Sequence, residues 1–235
     1  MWWRTLSVGL YRNDLTQGSS SVKVAARDSL LSRAQVQEVY AEITQHYPHI
    51  VFDPIWVQTF GDRELSTSLR TLDKTDFFTR EIDELQLSYA CRISVHSAKD
   101  LPDPLPAGLR LSALTRGVDS GDTLVLRENE TLETLPLHAR VGTSSQRRES
   151  AVLALRPDLR CVDIRGPIDQ RLAQLDCRQL DGLVVAEAAL IRLGWTHRNR
   201  LRLPGETALW QGRLAVLARE EDEQMQQLFA CIDTR

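Results

Sequence analysis

Between Ile93 and Pro102 the chain reads Ile-Ser-Val-His-Ser-Ala-Lys-Asp-Leu-Pro, an apolar run that opens into a turn rich in reactive side chains. Lys99 offers a cation to an anionic substrate. Asp100, next to it, offers a carboxylate that can take a proton or face a developing positive charge. Ser97 adds a hydroxyl. The same segment also fits a polar loop with a surface ion pair, worth about 0–1 kcal/mol. Its meaning depends on what else the chain gathers around it.

A second cluster, Val141-Gly142-Thr143-Ser144-Ser145-Gln146-Arg147-Arg148, carries stronger chemistry. A strand ends in glycine, and hydroxyl residues then cap a helix that opens with two arginines. Free N–H groups and the helix dipole attract an anion at such a terminus. Thr143, Ser144 and Ser145 add donors, and Arg147 and Arg148 can each grip a carboxylate or phosphate with two bonds. Arg165 and Gly166 form a further strand-to-helix turn, with Arg171 one turn into the helix. Together with Arg27 and Lys99, these turns imply a ligand with several negative groups. The Gly-x-x-x-x-Gly-Lys-Ser/Thr pattern of a nucleotide-binding P-loop is not present.

Strand ends must hold these side chains, because ligands of open α/β sheets bind there. Residues 22–26 read as a buried strand, and residues 30–47 as a helix with Ser29 as its N-cap. Residues 50–60 resemble a strand in which Pro54 argues for an edge or a bulge. A helix is expected over 77–89, with Phe78, Ile82 and Leu85 on one face, and strands over 93–95 and 109–114. The alternation restarts after Gly117–Gly121. Strands are expected over 122–126, 139–142, 159–164 and 183–186, with helices over 145–156, 167–177 and 188–193. Pro167 suits the first helical position, and Gly194 closes the last of these helices. A strand over 214–217 and a helix over 222–232 complete the pattern. Two such blocks predict two α/β domains with a cleft between them. Residues 22–116 plus 213–235 would form the first, residues 117–212 the second and residues 1–21 an N-terminal extension.

The chain has 235 residues and a net charge of −3, which gives no reason to expect nucleic acid as a partner. No apolar run approaches the ~18 residues of a membrane span. The N-terminal residues lack the apolar core of a signal peptide, so a cytoplasmic location is expected. Cys91, Cys161, Cys177 and Cys231 lack metal-ligand spacing and read as reduced thiols. His46 and His49 suit a helix end better than a metal site.

In order along the chain, these stretches resemble the porphobilinogen deaminase (hydroxymethylbilane synthase) family. The resemblance rests on Val22–Ser29, Gly61-Asp62, Phe78–Glu81, Val95–Pro102, Val141–Arg148, Arg156–Leu159 and Arg165-Gly166. It continues through Arg171-Leu172, Leu175-Asp176, Arg192-Leu193-Gly194 and Gln211-Gly212. His-Ser-x-Lys-Asp-x-Pro and Gly-Thr-Ser-Ser-x-Arg-Arg are specific as a pair. The resemblance covers about residues 22 to 230.

It implies two periplasmic-binding-protein-like (type II) α/β domains. It also implies condensation of porphobilinogen into the linear tetrapyrrole hydroxymethylbilane, with release of ammonia, on a dipyrromethane primer. Asp100 would be the catalytic carboxylate, with Lys99 beside it. Arg27, Lys99, Arg147, Arg148, Arg165 and Arg171 would bind carboxylates of primer and substrate. Ser29, Ser97, Thr143, Ser144 and Ser145 would supply hydrogen bonds, with Gly166 and Gln211 completing the site. The family's third domain, which carries the cysteine bonded to the primer, has no counterpart in these residues. Cys231 is a weak candidate for that bond and reads instead as a buried structural thiol. Residues 72–76 stand where the family has a Gly-Gly-Lys-Gly loop. Pro167 replaces an asparagine, and the stretch Arg116–Asp122 keeps one arginine fewer than the family's turn. Trp2, Trp3, Leu6 and Leu10 would cover apolar surface in a monomer or make a weak homodimer contact. The other reading of the same scaffold is a module that binds a tetrapyrrole or polycarboxylate without turnover.

Overall fold

The computed structural model describes residues 20–68, 70 and 75–235. The expectations for the N-terminal extension, with Trp2, Trp3, Leu6 and Leu10, and for the loop around Lys74 lie outside them. The first sheet begins with β1 (Ser20–Arg27), which pairs in parallel with β2 (Ile50–Val57) and β3 (Ile93–Ser97). Helix α1 (Leu30–His46) bridges β1 and β2. Its cap is the expected one, since Ser29 Oγ accepts from the Ser32 amide at 3.1 Å. Val36, Val39 and Ile43, spaced along one helical face, are buried against the sheet.

After β4 (Leu109–Leu114) the chain crosses to a second sheet. It contains β5 (Asp122–Val125), β6 (Arg140–Gly142), β7 (Arg160–Val162), β8 (Gly182–Ala186) and β9 (Arg200–Arg202). It then returns as β10 (Leu214–Arg219), antiparallel to both β3 and β4. The first sheet has the order β2-β1-β3-β10-β4 and the second β7-β6-β8-β5-β9. In each, a parallel trio is followed by one antiparallel strand that arrives by a crossover. This is the two-lobed periplasmic-binding-protein-like type II arrangement, as expected.

Helices α4 (Gln146–Leu155), α5 (Ile168–Asp176) and α6 (Glu187–Arg192) cover the second sheet. The first is covered by α1, α3 (Arg80–Leu87) and α7 (Glu223–Phe229). Every residue of β10 is buried, because both faces of this central strand are covered. Pro54 lies on β2, the edge strand of its sheet, where a missing N–H costs least.

Several expectations are corrected. The helix expected over 77–89 begins as a 3-10 turn at Asp76–Phe78, and α3 proper starts at Arg80. Ile82 and Leu85 reach the core, whereas Phe78 faces the cleft between the lobes. Pro167 is the N-cap of α5, in extended conformation (ψ 160°), rather than its first helical residue. The terminal helix ends at Phe229 and tightens into a 3-10 turn, Ala230–Ile232, on which Cys231 is exposed rather than buried. The short helix α2 (Phe60–Arg63) and strand β9 have too little periodicity to read from sequence.

Asp83 on α3 is 4% exposed, and neither carboxylate oxygen has a hydrogen-bond partner among the described residues. Burial pushes its pKa up to about 6; the Thr79 side chain opposes the shift, and Asp76 and Glu84 add to it. A raised folded-state value gives stability that is present in acid and lost as pH rises towards that value. Asp83→Asn should therefore stabilise the fold and raise the melting temperature at about pH 8, by up to about 3 kcal/mol, and by about half as much at about pH 5. Thermal melts at the two pH values check this, and an equal shift at both would contradict it.

Candidate active site

The turn after β3 and the N-terminal ends of α4 and α5 meet across the cleft. Two cavities, of about 530 and 250 Å3, share Lys99, Asp100, Arg148, Arg171, Ile164 and Phe78 as common walls. Ser144, Ser145, Arg147 and Gln211 line the larger cavity. Arg27, Ser29, Ser97, Arg165 and Gly166 line the smaller. Thr143 lines neither. Its hydroxyl is buried and accepts from the Ser145 amide at 3.3 Å, so it shapes the turn instead.

Charge in the cleft is balanced pair by pair. Asp122, only 2% exposed at the head of β5, takes Arg147 at 2.6 Å and Arg148 at 2.7 Å. Burial opposes ionisation of Asp122, but the two arginines prevail and hold its pKa below the usual carboxylate value. Arg27 pairs with Asp62, which also caps α2 through the Thr59 amide. Arg165 donates to the carbonyls of Gly61 and Glu64 at 2.9 and 2.8 Å and lies over the rings of Phe77 and Phe78. Gly61 is required here, since a Cβ would fall 2.5 Å from the Phe78 ring.

Like Arg165, the cleft cations Lys99 and Arg171 have no carboxylate within ion-pair distance among the described residues. Lys99 Nζ donates to Gln211 Oε1 at 3.2 Å, and burial together with Arg148 lowers its pKa to about 8. Arg171 has a buried Nε without an acceptor, and burial, with Arg148 and Arg27 adding, lowers its pKa to about 10. Asp100 is exposed to the cleft between these two cations, on the short 3-10 turn Ala98–Asp100. A carboxylate flanked by two underpaired cations suits a zwitterionic or polycarboxylate ligand that develops positive charge.

His96 takes no part in the cleft. It is buried beside Ser94 Oγ at 2.9 Å, and burial, with Arg27 adding, lowers its pKa to about 4. At neutral pH it is uncharged and props β3. Ser97 lines the smaller cavity but also accepts from Gln35 at 2.8 Å. Ser144 is engaged by Asp163 and the Ile164 carbonyl.

Reading the sequence for site residues missed the counter-ions and the cross-lobe ties. Asp122 and Asp62 are ordinary acids until the fold places them against arginines. Arg192 is nearly buried, with a bidentate pair to Glu38 of α1 at 2.7 and 2.8 Å and a bond to the Gly212 carbonyl. It thereby ties the second lobe to the first. Its place in the motif Arg192-Leu193-Gly194 was the available signal. The stretch after α2 supplies a further tie, because Arg70 pairs with Glu149 of α4 at 2.6 Å.

Known proteins give the same reading. Residues 22–227 match the family model described as "Porphobilinogen deaminase, dipyromethane cofactor binding domain". A probable porphobilinogen deaminase of Chlamydia pneumoniae is 36% identical over 94% of this chain and 93% of its own length. The porphobilinogen deaminase of Desulforudis audaxviator is 38% identical over 90% of this chain and 70% of its own length. Among solved structures, the LysR family transcriptional regulator CbnR superposes with a TM-score of 0.56 at 11% identity. The match covers 90% of this chain and 68% of that one and shows the shared fold alone. With the fold, the cleft and the matched residues in agreement, the chain belongs to the porphobilinogen deaminase family.

Proposed function

We propose that the cleft condenses porphobilinogen into hydroxymethylbilane with Asp100 as the catalytic carboxylate, on a dipyrromethane primer. The observation that carries this reading is the position of Asp100, without an ion-pair partner among the described residues and exposed between Lys99 and Arg171, where both cavities meet. The acetate and propionate groups of substrate and primer suit a cleft whose buried Arg165 Nε and Arg171 Nε lack acceptors. The larger cavity also lies within the ~300–1,000 Å3 usual for small-ligand sites. When bound, the primer supplies the free pyrrole carbon to which the next unit is joined.

The protein's own groups do the rest. Arg147, Arg148, Arg165, Arg171, Arg27 and Lys99 hold carboxylates and fix the ring orientation. Ser29, Ser97, Ser144 and Ser145 offer hydroxyls and amides at the cavity walls. Asp100 Oδ atoms accept the pyrrole N–H of porphobilinogen. As ammonia leaves, the ring acquires positive charge, and the carboxylate stabilises it. Gln211 holds Lys99 and Arg148 in register through its Oε1. A module that only binds polycarboxylates would gain nothing from a carboxylate at this point.

Asp100→Ala should lower porphobilinogen consumption by at least about 100-fold while binding of a dicarboxylate analogue is kept or strengthened. Turnover within a few-fold of wild type would rule out the assigned role. A second expectation follows from Lys99. Its charge is present below about pH 8 and is lost as pH rises through that value. KM for porphobilinogen should therefore climb above about pH 8, and Lys99→Arg should flatten that limb, since arginine keeps its proton. A KM limb unchanged in the variant would assign the titration elsewhere.

A further inference from the structure

Asp122 lines neither cavity, yet three of the cleft cations are arranged around it. Its backbone is held on both sides of β5. It pairs with Ala186 of β8, and its carbonyl accepts from the Leu203 amide at 2.9 Å. From this fixed point Oδ2 meets Arg147 Nη1 at 2.6 Å. Oδ1 accepts from Arg148 Nε at 2.8 Å and from Gln211 Nε2 at 3.0 Å. Both arginines open α4 and line the larger cavity. Their reach into the cleft is therefore set from behind, by a carboxylate that touches no ligand.

Gln211 carries the influence of Asp122 to the other lobe. Its Nε2 donates also to the Ser120 and Gly121 carbonyls, at 2.7 and 3.1 Å. With oxygen atoms grouped around the nitrogen, the amide has one orientation that satisfies it. Oε1 is then turned towards the cations and accepts from Lys99 Nζ at 3.2 Å and from Arg148 Nη2 at 3.4 Å. The Lys99 ammonium, on the first lobe, thus takes its place from a carboxylate on the second. The charges that face it are Asp100 on its own turn, Asp122 of β5, Arg148 of α4 and Arg171 of α5. Two are negative and two positive. Without the charge of Asp122, Arg148 would lose its counter-ion and the surroundings of the ammonium would turn positive.

We propose that Asp122 is a positioning residue for the reaction: from outside both cavities it aims Arg147 and Arg148 directly, and Lys99 through Gln211, at the carboxylates of the ligand. It also favours the protonated form of Lys99, the form that binds an anion. The proposal rests on the reading of the cleft as a porphobilinogen site, and it adds a residue that governs the site without entering it.

The test reads Lys99 itself. Acetic anhydride in trace amounts acetylates only neutral amines, so the pH dependence of labelling reports each lysine's proton. The 235-residue chain has three lysines, Lys23, Lys74 and Lys99, which peptide mapping separates, and the exposed Lys23 serves as the internal standard. The Lys99 midpoint is expected near pH 8 in wild type and at least about half a pH unit lower in Asp122→Asn. Asp122→Glu, which keeps the charge, should restore it. KM for porphobilinogen should rise on the order of tenfold in Asp122→Asn, with kcat within about threefold, because Asp100 is untouched. Gln211→Leu leaves Asp122 paired with its arginines and cuts only the relay, so it should lower the Lys99 midpoint too. It decides the matter where Asp122→Asn fails to fold.

A counter-ion that only stabilises the fold would lower the melting temperature and move neither midpoint nor KM. The proposal is overturned by that result, or by a Lys99 midpoint in the folded variants equal to that of wild type. Failure of the proposed function reads differently. It would appear as no porphobilinogen consumption by the wild-type chain, and the labelling midpoints, which need no turnover, would still show whether Asp122 governs Lys99.

Discussion

Holding several positive charges in one cleft without driving the lobes apart is the constraint on which the structure depends. Arg27, Lys99, Arg147, Arg148, Arg165 and Arg171 all line the two connected cavities. Their mutual repulsion grows as water is excluded. Asp122 answers it for Arg147 and Arg148, Asp62 for Arg27, and backbone carbonyls with two phenylalanine rings for Arg165. Breaking a buried pair by removing one partner costs about 3–5 kcal/mol, so these acids belong to the scaffold as much as to the site. Among the described residues Arg171 and Lys99 have no carboxylate at ion-pair distance, and their pKa values are lowered. They are the cations that gain most from an incoming one.

The same residues connect the site to the crossovers. Asp122 opens β5 just after the chain leaves the first lobe, and Gln211 closes the return path before β10. Gln211 Nε2 bonds Asp122 Oδ1 at 3.0 Å, so the two crossovers are fastened to each other beside Arg147 and Arg148. Arg192 with Glu38, and Arg70 with Glu149, add ties on other sides of the cleft. Ligand carboxylates that draw Arg148 away from Asp122 would act directly on the joint between the lobes.

Much of this was legible from local sequence. The cap at Ser29, the edge strand marked by Pro54, the turn at Gly194 and the two anion-suited turns each depend on a few neighbouring residues. Order and spacing of the motifs brought Asp100, Lys99 and the arginines to one place. What stayed hidden depends on long-range pairing. Asp122 lies 26 residues from Arg148 in the chain, and nothing in its neighbourhood announces it as their counter-ion. Phe78 fits the apolar face of a helix in sequence, yet the chain enters α3 through a 3-10 turn that aims it into the cleft. Cys231 sits in an apolar run that suggested burial, but the helix ends two residues earlier and the thiol emerges on the next turn. Thr143 has the right neighbours for a ligand contact and spends its hydroxyl on the backbone of its own turn.

The sheet orders also set a sequence of events during synthesis. The second lobe has all five strands once residue 202 has been made, because β5 to β9 are contiguous in the chain. The first lobe lacks the strand between β3 and β4 until residues 214–219 follow. On the ribosome, the lobe begun second is therefore the one whose sheet is completed first. Until then β3 and β4 each keep an unpaired edge, open to the wrong strand. The residues just before β10 are Leu209 to Gly212, so the segment that closes the first sheet arrives together with the wall of the cavity. Completion of the first sheet and completion of the cavity wall are a single step.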